Sequence, residues 1–458
     1  MLENASNFRK QAEKLRQRVS EFENPLIITH YDGDGLSSGS IASIGFEEHF
    51  GKNVQVKVVK RIDEPLLQEL KEKGLQPVFT DFGSGMLNII EKYFSEKEAA
   101  IIDHHELEKK ETFLMQLNCH EFGFDGGIDA TAASSAYFVF PSKRTIKLAI
   151  VGTVADMQDQ KGFQGINAEM LKDAKEKYGV TVKTDLKLFG KYTRPLVNFL
   201  SYSNDPYLPK LSGSDRGSAL FLIKNEIAFE KNEGGEEKII HYADLNPETK
   251  KRLQNALIEH GLKFQPQEKV NAIIGDCYFF EEIAKNELDD AYEFSTLLNA
   301  CGRNGRPEVG IALCKGENGA LEEARNVYSI HRSNIRRGLA VARSKTNDFG
   351  PFYFLDGRNA IMDTIIGTVA GSILTSLPKD KPIIAYSIDE NGKTKVSGRC
   401  SKTAAEKGVN LAALMKEASR GFGEGGGHQQ AAGCTIEKGH EEEFLKNAKE
   451  IIKKQTIA

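Results

Sequence analysis

Carboxylates and imidazoles recur in the first third of the chain, in short segments that could together bind metal ions. The segments are His30/Asp32/Asp34, Asp81, Asp103/His104/His105 and Asp156. Mixed carboxylate and histidine ligation suits Mn²⁺ or Mg²⁺, and the imidazole nitrogens favour Mn²⁺. Several acids can converge only if cations cancel their repulsion. Two divalent ions about 3.5–4 Å apart, bridged by one carboxylate, are the usual arrangement for phosphoryl chemistry. Asp81, alone in its segment, is the predicted bridge.

Each segment also has an ordinary explanation when it is taken alone. An Asp-Gly-Asp-Gly run such as the one starting at Asp32 is more often a turn, and a single histidine such as His30 is more often structural. An Asp-His-His triplet is more often part of a solvated loop. Asp156 could simply end a helix, although a carboxylate there opposes the helix dipole and favours a nearby cation. The metal site therefore depends on whether the fold brings the segments together.

The elements around these residues alternate between strand and helix, which predicts a doubly wound parallel sheet. The predicted strands are Pro25–Thr29, Val54–Val59, Pro77–Thr80 and Ala99–Ile102. Acids or histidines follow the first, third and fourth of them. The carboxyl ends of parallel strands meet at one crevice, where ligands bind in such sheets. Two apolar helices, Asp129–Phe140 and Arg144–Ala155, then lead to Asp156.

The rest of the chain predicts a connecting region and a second, smaller α/β domain. The predicted domains are residues 1–183, a connecting region of residues 184–290 and a second domain of residues 291–458. Helices are expected near Leu186–Leu200 and Pro247–His260 in the connecting region. The predicted strands of the second domain are Glu308–Cys314, Ile383–Ile388, Lys393–Arg399 and Ala431–Glu437.

The composition is that of an ordinary globular protein, with 40% hydrophobic and 28% charged residues among 458. No apolar run approaches the roughly 18 residues of a membrane span, and the N-terminal segment is polar, so a cytoplasmic protein without membrane contact is expected. The six cysteines form no CxxC pair, which argues against a zinc cage. A net charge of −4 gives no overall attraction to nucleic acid, so such a partner needs a local basic surface.

Two segments near the C-terminus could bind phosphate groups. In a predicted glycine-rich loop, Gly425, Gly426 and Gly427 would let backbone N–H groups approach a phosphate closely, and His428 with Arg399 would add positive charge. No Gly-Lys-Ser/Thr follows, so ATP use is not implied; a plain hinge is the alternative. The basic helix after His331 places Arg332 and Arg336 on one face. That face could track a nucleic-acid backbone or simply be solvated.

The order and spacing of these motifs resemble the DHH phosphoesterases, and within them the archaeal RecJ-like exonucleases. The matching motifs are His30-Tyr-Asp-Gly-Asp-Gly, Thr80-Asp81, Asp103-His104-His105, Gly152-Thr-Val-Ala-Asp156 and the glycine-rich run ending at Gly433. The resemblance implies a two-lobed phosphodiesterase, with a DHH catalytic domain first and a DHH-associated nucleotide-binding domain last.

The resemblance also implies roles for individual residues. His30, Asp32 and Asp81 would hold one ion; Asp34, Asp81, His104 and Asp156 would hold the other. His105 would lie near the scissile phosphate. Asp103 is expected to orient an imidazole rather than to bind metal.

Three functions follow as hypotheses. The first is a metal-dependent exonuclease on single-stranded DNA or RNA, 5′ to 3′ on DNA by the resemblance, in replication or repair. The second is a phosphodiesterase of short oligonucleotides or cyclic dinucleotides, against which stand the long connecting region and the basic helix. The third is a replisome scaffold, since the resemblance implies binding to the GINS complex. The intact ligand positions favour an active enzyme.

Overall fold

The chain folds into two compact units, Met1–Arg325 and Asn326–Ala458. The computed structural model describes residues 2–109, 111–203, 206–233, 236–281, 286–378 and 380–457. Within those ranges, no helix is long and apolar enough to cross a membrane. The predicted α/β fold class is confirmed, because a parallel sheet lies in the first unit and a second sheet in the other.

A five-stranded sheet with the order β2-β1-β3-β4-β5 forms the centre of the first unit, and all its strands are parallel. The strands are β1 (Pro25–Thr29), β2 (Val56–Val58), β3 (Gln76–Thr80), β4 (Ala100–Asp103) and β5 (Met115–Asn118). The sequence did not predict β5, because its polar residues Gln116 and Asn118 interrupt the apolar run expected of a buried strand. Because the strands are parallel, β1, β3 and β4 end at the same edge, where the predicted ligands begin.

Helices flank this sheet. They are α1 (Leu2–Ser20), α2 (Gly33–Phe50), α3 (Glu64–Glu72), α4 (Leu87–Tyr93), α5 (Ala132–Val139), α6 (Lys143–Ala155) and α7 (Gly165–Tyr178). Phe79 and Ile101 pack with the apolar residues of α3 and α4 on one face. Their neighbours Val78 and Ile102 are equally buried and point to the opposite face, because successive strand residues alternate. Burial on both faces explains the continuous apolar runs of these strands.

The segment after α7 forms a small subdomain with its own apolar core. Its elements are β6 (Thr181–Leu186), α8 (Leu196–Ser201), α9 (Asp215–Lys224), β7 (Glu230–Glu233), β8 (Glu236–Ile239), α10 (Pro247–Leu262), α11 (Gln267–Asn271) and β9 (Ile274–Phe279). The predicted helix Leu186–Leu200 is wrong over most of its length, because Leu186 ends a strand that pairs with β9. Gly190 has a φ of 104° and Pro195 precedes α8, so a continuous helix cannot form there.

Two further helices, α12 (Ala291–Arg303) and α13 (Pro307–Lys315), belong to the first compact unit rather than to the second. The predicted strand Glu308–Cys314 is therefore wrong. Pro307 occupies the first turn of α13, and Gly316 ends it in the left-handed conformation. Helix α13 packs so closely on α2 that a Cβ on Gly310 would lie 2.7 Å from Leu36.

The second unit is built on a six-stranded mixed sheet with the order β10-β11-β12-β13-β15-β14. The strands are β10 (Thr346–Asp348), β11 (Tyr353–Asp356), β12 (Ile383–Ile388), β13 (Thr394–Arg399), β14 (Gly423–Gly427) and β15 (Ala431–Ile436). The helices are α14 (Ala320–Lys345), which begins in the first unit, α15 (Ile366–Leu374), α16 (Lys402–Glu406), α17 (Leu411–Ala418) and α18 (Glu441–Ile457). Two apolar clusters cover the two faces of the sheet. Ile383 and Ile384, adjacent on β12, belong to different clusters.

Candidate metal centre

The loop between β1 and α2 carries the first predicted ligands. Asp32 caps α2, and its Oδ1 accepts the Gly35 N–H at 3.0 Å. Its Oδ2 lies 2.9 Å from His30 Nδ1. A Cβ on Gly35 would lie only 2.4 Å from the His30 carbonyl, so the tight turn requires glycine there. Against the opposing effect of its partial burial, the neighbouring imidazole lowers the pKa of Asp32 well below its usual range.

Asp34 lies in the first turn of α2 and is held from the opposite side by α5. Its Oδ2 accepts the Ala132 N–H at 2.8 Å, and its Oδ1 accepts the Ala133 N–H at 2.9 Å. These amides begin α5, so the helix dipole also favours the carboxylate. Burial and the nearby Asp81 nevertheless raise the pKa of Asp34 well above its usual value. A Cβ on Gly152 would lie 2.7 Å from Asp34 Oδ1, which explains the glycine there.

Asp81 follows β3 and lies between two imidazoles. Its Oδ2 is 3.5 Å from His30 Nδ1, and its Oδ1 is 3.4 Å from His104 Nε2. The residue is 3% exposed, and Oδ2 accepts no hydrogen bond from the described residues. Its φ of 68° is in the left-handed region, a conformation that costs a non-glycine residue roughly 1–2 kcal/mol. A strained, buried carboxylate with an unsatisfied oxygen calls for a positively charged partner.

Strand β4 ends in the Asp103-His104-His105 triplet. Asp103 is fully buried; its Oδ1 accepts His105 Nδ1–H at 2.9 Å, and its Oδ2 accepts the Ser84 N–H at 3.0 Å. This bond leaves His105 Nε2 as the free ring nitrogen of a side chain that is 52% exposed. Against the effect of partial burial, Asp103 raises the pKa of His105 to about 9.

His104 points the opposite way, into the carboxylate cluster. Its Nδ1 lies 2.6 Å from the Gly126 carbonyl, which can only accept, so the proton is on Nδ1. Nε2 is then the ring nitrogen that faces Asp81 at 3.4 Å, and Asp34 Oδ2 is 3.7 Å away. Gly126 must be glycine, because a Cβ there would lie 1.7 Å from the His104 carbonyl.

Asp156 is the C-cap of α6, as the sequence predicted, and lies exposed at the rim of the cluster. Its Oδ2 accepts Gln158 Nε2–H at 2.9 Å. The charge of Asp156 contributes to raising the pKa of His104, against the effect of burial and together with Asp81.

These groups fit divalent cations. The ligand atoms of His30, Asp32 and Asp81 lie within 4.8 Å of one another, and those of Asp81, His104 and His105 do the same. Asp81 belongs to both groups. The donor set is oxygen-rich with a minority of imidazoles, as Mn²⁺ or Mg²⁺ prefers. Of the predicted ligands, the structure thus brings together His30, Asp32, Asp81 and His104, with Asp34 next to His104, and it adds His105, which the sequence placed near the substrate instead.

Sequence reasoning missed the residues that hold the ligands in place. Asn299 on α12 accepts the Gly33 N–H at 3.1 Å, next to the ligand loop. Gly302, on the same helix, lies so close that a Cβ would be 1.6 Å from the Tyr31 carbonyl. The sequence had assigned this helix to the second domain, and neither residue has a ligand side chain to signal its role.

In the second unit, the glycine-rich segment is a strand rather than the expected loop. β14 forms one edge of the sheet, where Gly427 pairs with Ala432. Arg399 pairs with Ala431 at the same end of the sheet, and its guanidinium lies against Gly367 on α15. His428 is exposed in the turn between β14 and β15. The structure thus gathers these predicted phosphate-binding residues at one end of one sheet.

The basic helix is α14. Arg336 is exposed, and Arg332 is half-buried, with its guanidinium 5.8 Å from the Tyr328 ring centroid. Gly338 on the same helix packs on Val369 of α15.

Comparisons with known proteins identify two domains in the chain. Residues 188–274 match the family model of the DHH-CID domain, and residues 354–454 match that of the DHHA1 domain. The DHH-CID match lies in the predicted connecting region, and the DHHA1 match lies in the second compact unit.

Proteins similar to this chain are found by sequence and by structure. An uncharacterized protein of Methanocaldococcus jannaschii is 29% identical over 477 aligned residues, which cover 99% of both chains. CDC45 from Entamoeba histolytica superposes with a TM-score of 0.65 at 12% identity, covering 98% of this chain and 99% of CDC45. RecJ from Thermus thermophilus in complex with Mn²⁺ gives a TM-score of 0.59 at 14% identity, covering 98% of this chain and 55% of RecJ. At such identities the structural similarities show a common fold.

Proposed function

We propose that this chain is a metal-dependent exonuclease of the DHH superfamily that hydrolyses phosphodiester bonds at the end of single-stranded DNA or RNA, 5′ to 3′ on DNA, in replication or repair. The observation that carries the proposal is Asp81. It is buried between two imidazoles, adopts a strained backbone conformation and keeps one oxygen without a hydrogen bond from the described residues. A carboxylate arranged in this way suits a bridging ligand of two cations.

The ligands divide between two ions. His30, Asp32 and Asp81 would hold one; Asp34, Asp81, His104 and Asp156 would hold the other. Bound Mn²⁺, or Mg²⁺ as a substitute, would supply an activated water and positive charge at the scissile phosphate. The protein's own contribution is to hold the carboxylates close together and to direct His104 Nε2 at Asp81.

His105 acts on the substrate rather than on the ions in this proposal. Asp103 fixes its Nδ1–H and thereby turns Nε2 outward. From there it would donate a hydrogen bond to a non-bridging oxygen of the scissile phosphate. Asp103 has an orienting role, because its two oxygens are already occupied by His105 and by backbone amides.

The second unit would hold the nucleic acid. Gly425, Gly426 and Gly427 offer backbone without side chains at the sheet edge, and His428 and Arg399 add donors at the same end. The arginines of α14, Arg332 and Arg336, would follow the phosphate backbone.

The decisive experiment is a time course with Mn²⁺ on one single strand labelled at its 5′ end or at its 3′ end, with cyclic and linear dinucleotides in parallel. We expect immediate mononucleotide release from the 5′-labelled end. Turnover of dinucleotides with the long strand intact would replace the exonuclease with a small-nucleotide phosphodiesterase. No Mn²⁺-dependent hydrolysis of any substrate would refute both enzyme proposals. The Asp81→Asn variant serves as the inactive control.

The His428→Ala substitution tests the role of the second unit. The side chain is exposed, so the fold should tolerate its loss. We expect KM for a single strand to rise several-fold, with kcat and Mn²⁺ affinity nearly unchanged, because the residue binds substrate away from the metal ligands. Initial rates over a substrate series measure both constants. A fall in kcat at constant KM would contradict the assignment.

A second candidate function is association with the GINS complex. The specific support is the CDC45-like fold, which extends over 98% of this chain and 99% of CDC45. Co-purification of GINS with the full-length chain tests it. We expect Asp81→Asn to bind GINS as the wild type does, since the ligand cluster is not proposed as a docking surface. Absence of GINS from the purified protein would remove this candidate and leave the nuclease proposal intact.

A further inference from the structure

Gln158 is a buried glutamine beside the metal centre that has no ligand chemistry of its own. It follows α6 in the turn beyond Asp156 and is 6% exposed. Its Nε2 lies 2.9 Å from Asp156 Oδ2, 2.8 Å from the Gly126 carbonyl and 3.0 Å from the Ala130 carbonyl. One carboxamide therefore faces a predicted metal ligand and two backbone carbonyls.

The orientation of this carboxamide is determined by its surroundings. Asn167 Nδ2 donates to Gln158 Oε1 at 2.8 Å, and Asn167 is itself fully buried. A flipped amide would direct Oε1 at three acceptor oxygens and Nε2 at a donor, so only one orientation satisfies the groups. With two N–H groups for three acceptors, Gln158 has no donor capacity left for water.

The Gly126 carbonyl links this amide to a second predicted ligand. The same oxygen that accepts from Gln158 accepts His104 Nδ1–H at 2.6 Å. That bond determines which nitrogen of His104 carries the proton and which faces Asp81. Gln158 therefore contacts Asp156 directly and His104 through one shared oxygen. In the proposed division of ligands, Asp156 and His104 bind the same ion.

We infer that Gln158 is a positioning residue of the metal centre: its carboxamide holds the Asp156 carboxylate and, through the Gly126 carbonyl, the His104 imidazole in place for one of the two cations. This inference rests on the proposed two-metal site. Partners of this kind usually change metal affinity or activity by about 10–100-fold when they are removed. The alternative is that Gln158 only closes the turn after α6 and contributes to stability alone.

The test compares Mn²⁺ binding to full-length wild-type protein and variants, followed by the electron paramagnetic resonance signal of free Mn²⁺. Gln158→Met keeps the chain length and removes both N–H donors. We expect one of two Mn²⁺ ions to bind about 10–100-fold more weakly, while the other binds as in the wild type. Raising the Mn²⁺ concentration should restore hydrolysis by this variant. Gln158→Asn keeps the carboxamide on a shorter side chain and decides the question if Gln158→Met does not fold; we expect an intermediate loss.

Gln116 provides the matched control. It is a glutamine of the same unit, 2% exposed, that accepts Ser84 Oγ–H and donates to Glu121 rather than to a proposed metal ligand. Gln116→Met should lower the thermal midpoint and leave both Mn²⁺ affinities within twofold. The inference is overturned if the Gln158 variants bind both ions within twofold of the wild type, or if Gln116→Met weakens Mn²⁺ binding equally.

The outcomes also separate this inference from the proposed function. Wild-type protein that binds two Mn²⁺ ions and cleaves no oligonucleotide would refute the nuclease proposal, and the role of Gln158 would still be decided by the binding ratios. Wild-type protein that binds no Mn²⁺ would refute both.

Discussion

Two clusters of ionisable side chains among the described residues of the first unit differ in how their charge is balanced. The rim cluster consists of His30, Asp32, Asp34, Asp81, His104 and Asp156. The lysine cluster consists of Asp185, Lys191, Asp290 and Glu293. In the lysine cluster the ammonium of Lys191, 1% exposed, lies 2.8 Å from Asp290 and 3.6 Å from Asp185. Among the described residues, the ion pairs of the rim cluster all involve histidine.

The difference distinguishes a structural cluster from a ligand site. A lysine keeps its charge at neutral pH, and the surrounding acids raise the pKa of Lys191 further against the effect of burial. The lysine cluster therefore has its own cation. The rim cluster has imidazoles instead, which serve as ligands only when neutral and then leave the carboxylates unbalanced. A buried group of acids without lysine or arginine is thus a stronger indication of a metal site than the number of acids alone.

The largest effect should come from Asp81→Asn. Asparagine tolerates the left-handed backbone at this position, so the fold is kept while the bridging charge is lost. We expect kcat with Mn²⁺ to fall at least about 10³-fold, since a bridging metal ligand contributes several kcal/mol of transition-state stabilisation. The thermal midpoint without metal should stay the same or rise, because one of several repelling carboxylates is neutralised. Near-native activity would exclude the two-metal arrangement.

Lys191→Met should instead lower the free energy of unfolding. Removing the cation leaves the fully buried Asp290 without a positively charged partner, which costs about 3–5 kcal/mol of unfolding free energy. Urea titration followed by circular dichroism measures the loss. Lys71→Met, which removes an exposed ion pair with Glu98, is the control and should cost less than about 1 kcal/mol. Equal effects of the two variants would contradict the role assigned to the lysine cluster.

Added Mn²⁺ should stabilise the wild-type protein through the rim cluster alone. At a concentration 100 times the dissociation constant, binding to the folded state contributes about 2.7 kcal/mol. We expect the thermal midpoint to rise with Mn²⁺, to return to its original value with a chelator, and to stay constant in Asp81→Asn. A rise of the same size in Asp81→Asn would place the cation elsewhere.

The smallest effect concerns pH. Burial, with Asp290 next, raises the pKa of Glu293 from 4.5 to about 8. Because the folded state binds this proton more tightly than the unfolded chain, the stabilisation is complete below about pH 4.5 and is lost as the pH rises towards 8. We expect the free energy of unfolding to fall by about 2 kcal/mol between pH 6 and 8. Glu293→Gln should reduce the dependence of the free energy of unfolding on pH in this range. An unchanged pH dependence would mean that other groups cause it.

The sequence predicted the parts of this fold that local pattern determines. Strands β1, β3 and β4 are largely apolar runs, and each is followed by candidate ligands, so the sheet and the common edge at which these residues lie could be anticipated. The lysine cluster could not be found in this way, because Lys191 and Asp290 are 99 residues apart and ordinary in type. The sequence also gives no indication that Asp34 accepts two backbone hydrogen bonds from the start of α5, 98 and 99 residues away.

The errors have a common physical origin in contacts distant along the chain. Leu186 was predicted to begin a helix and instead ends β6, which is determined by pairing with Ile274 on β9. The glycine-rich run was predicted as a loop, since glycine has little preference for strands. Its strand is imposed by β15, with which Gly423–Gly427 pairs residue by residue.

That edge strand also bears on solubility. An edge strand presents unpaired backbone groups to neighbouring chains and can start intermolecular sheets. β14 is short, four of its five residues are glycine and the remaining Glu424 is exposed and charged. Low strand preference and a like-charge penalty both disfavour the addition of another chain. The glycines proposed to bind phosphate groups at this edge would thereby also disfavour intermolecular sheet formation.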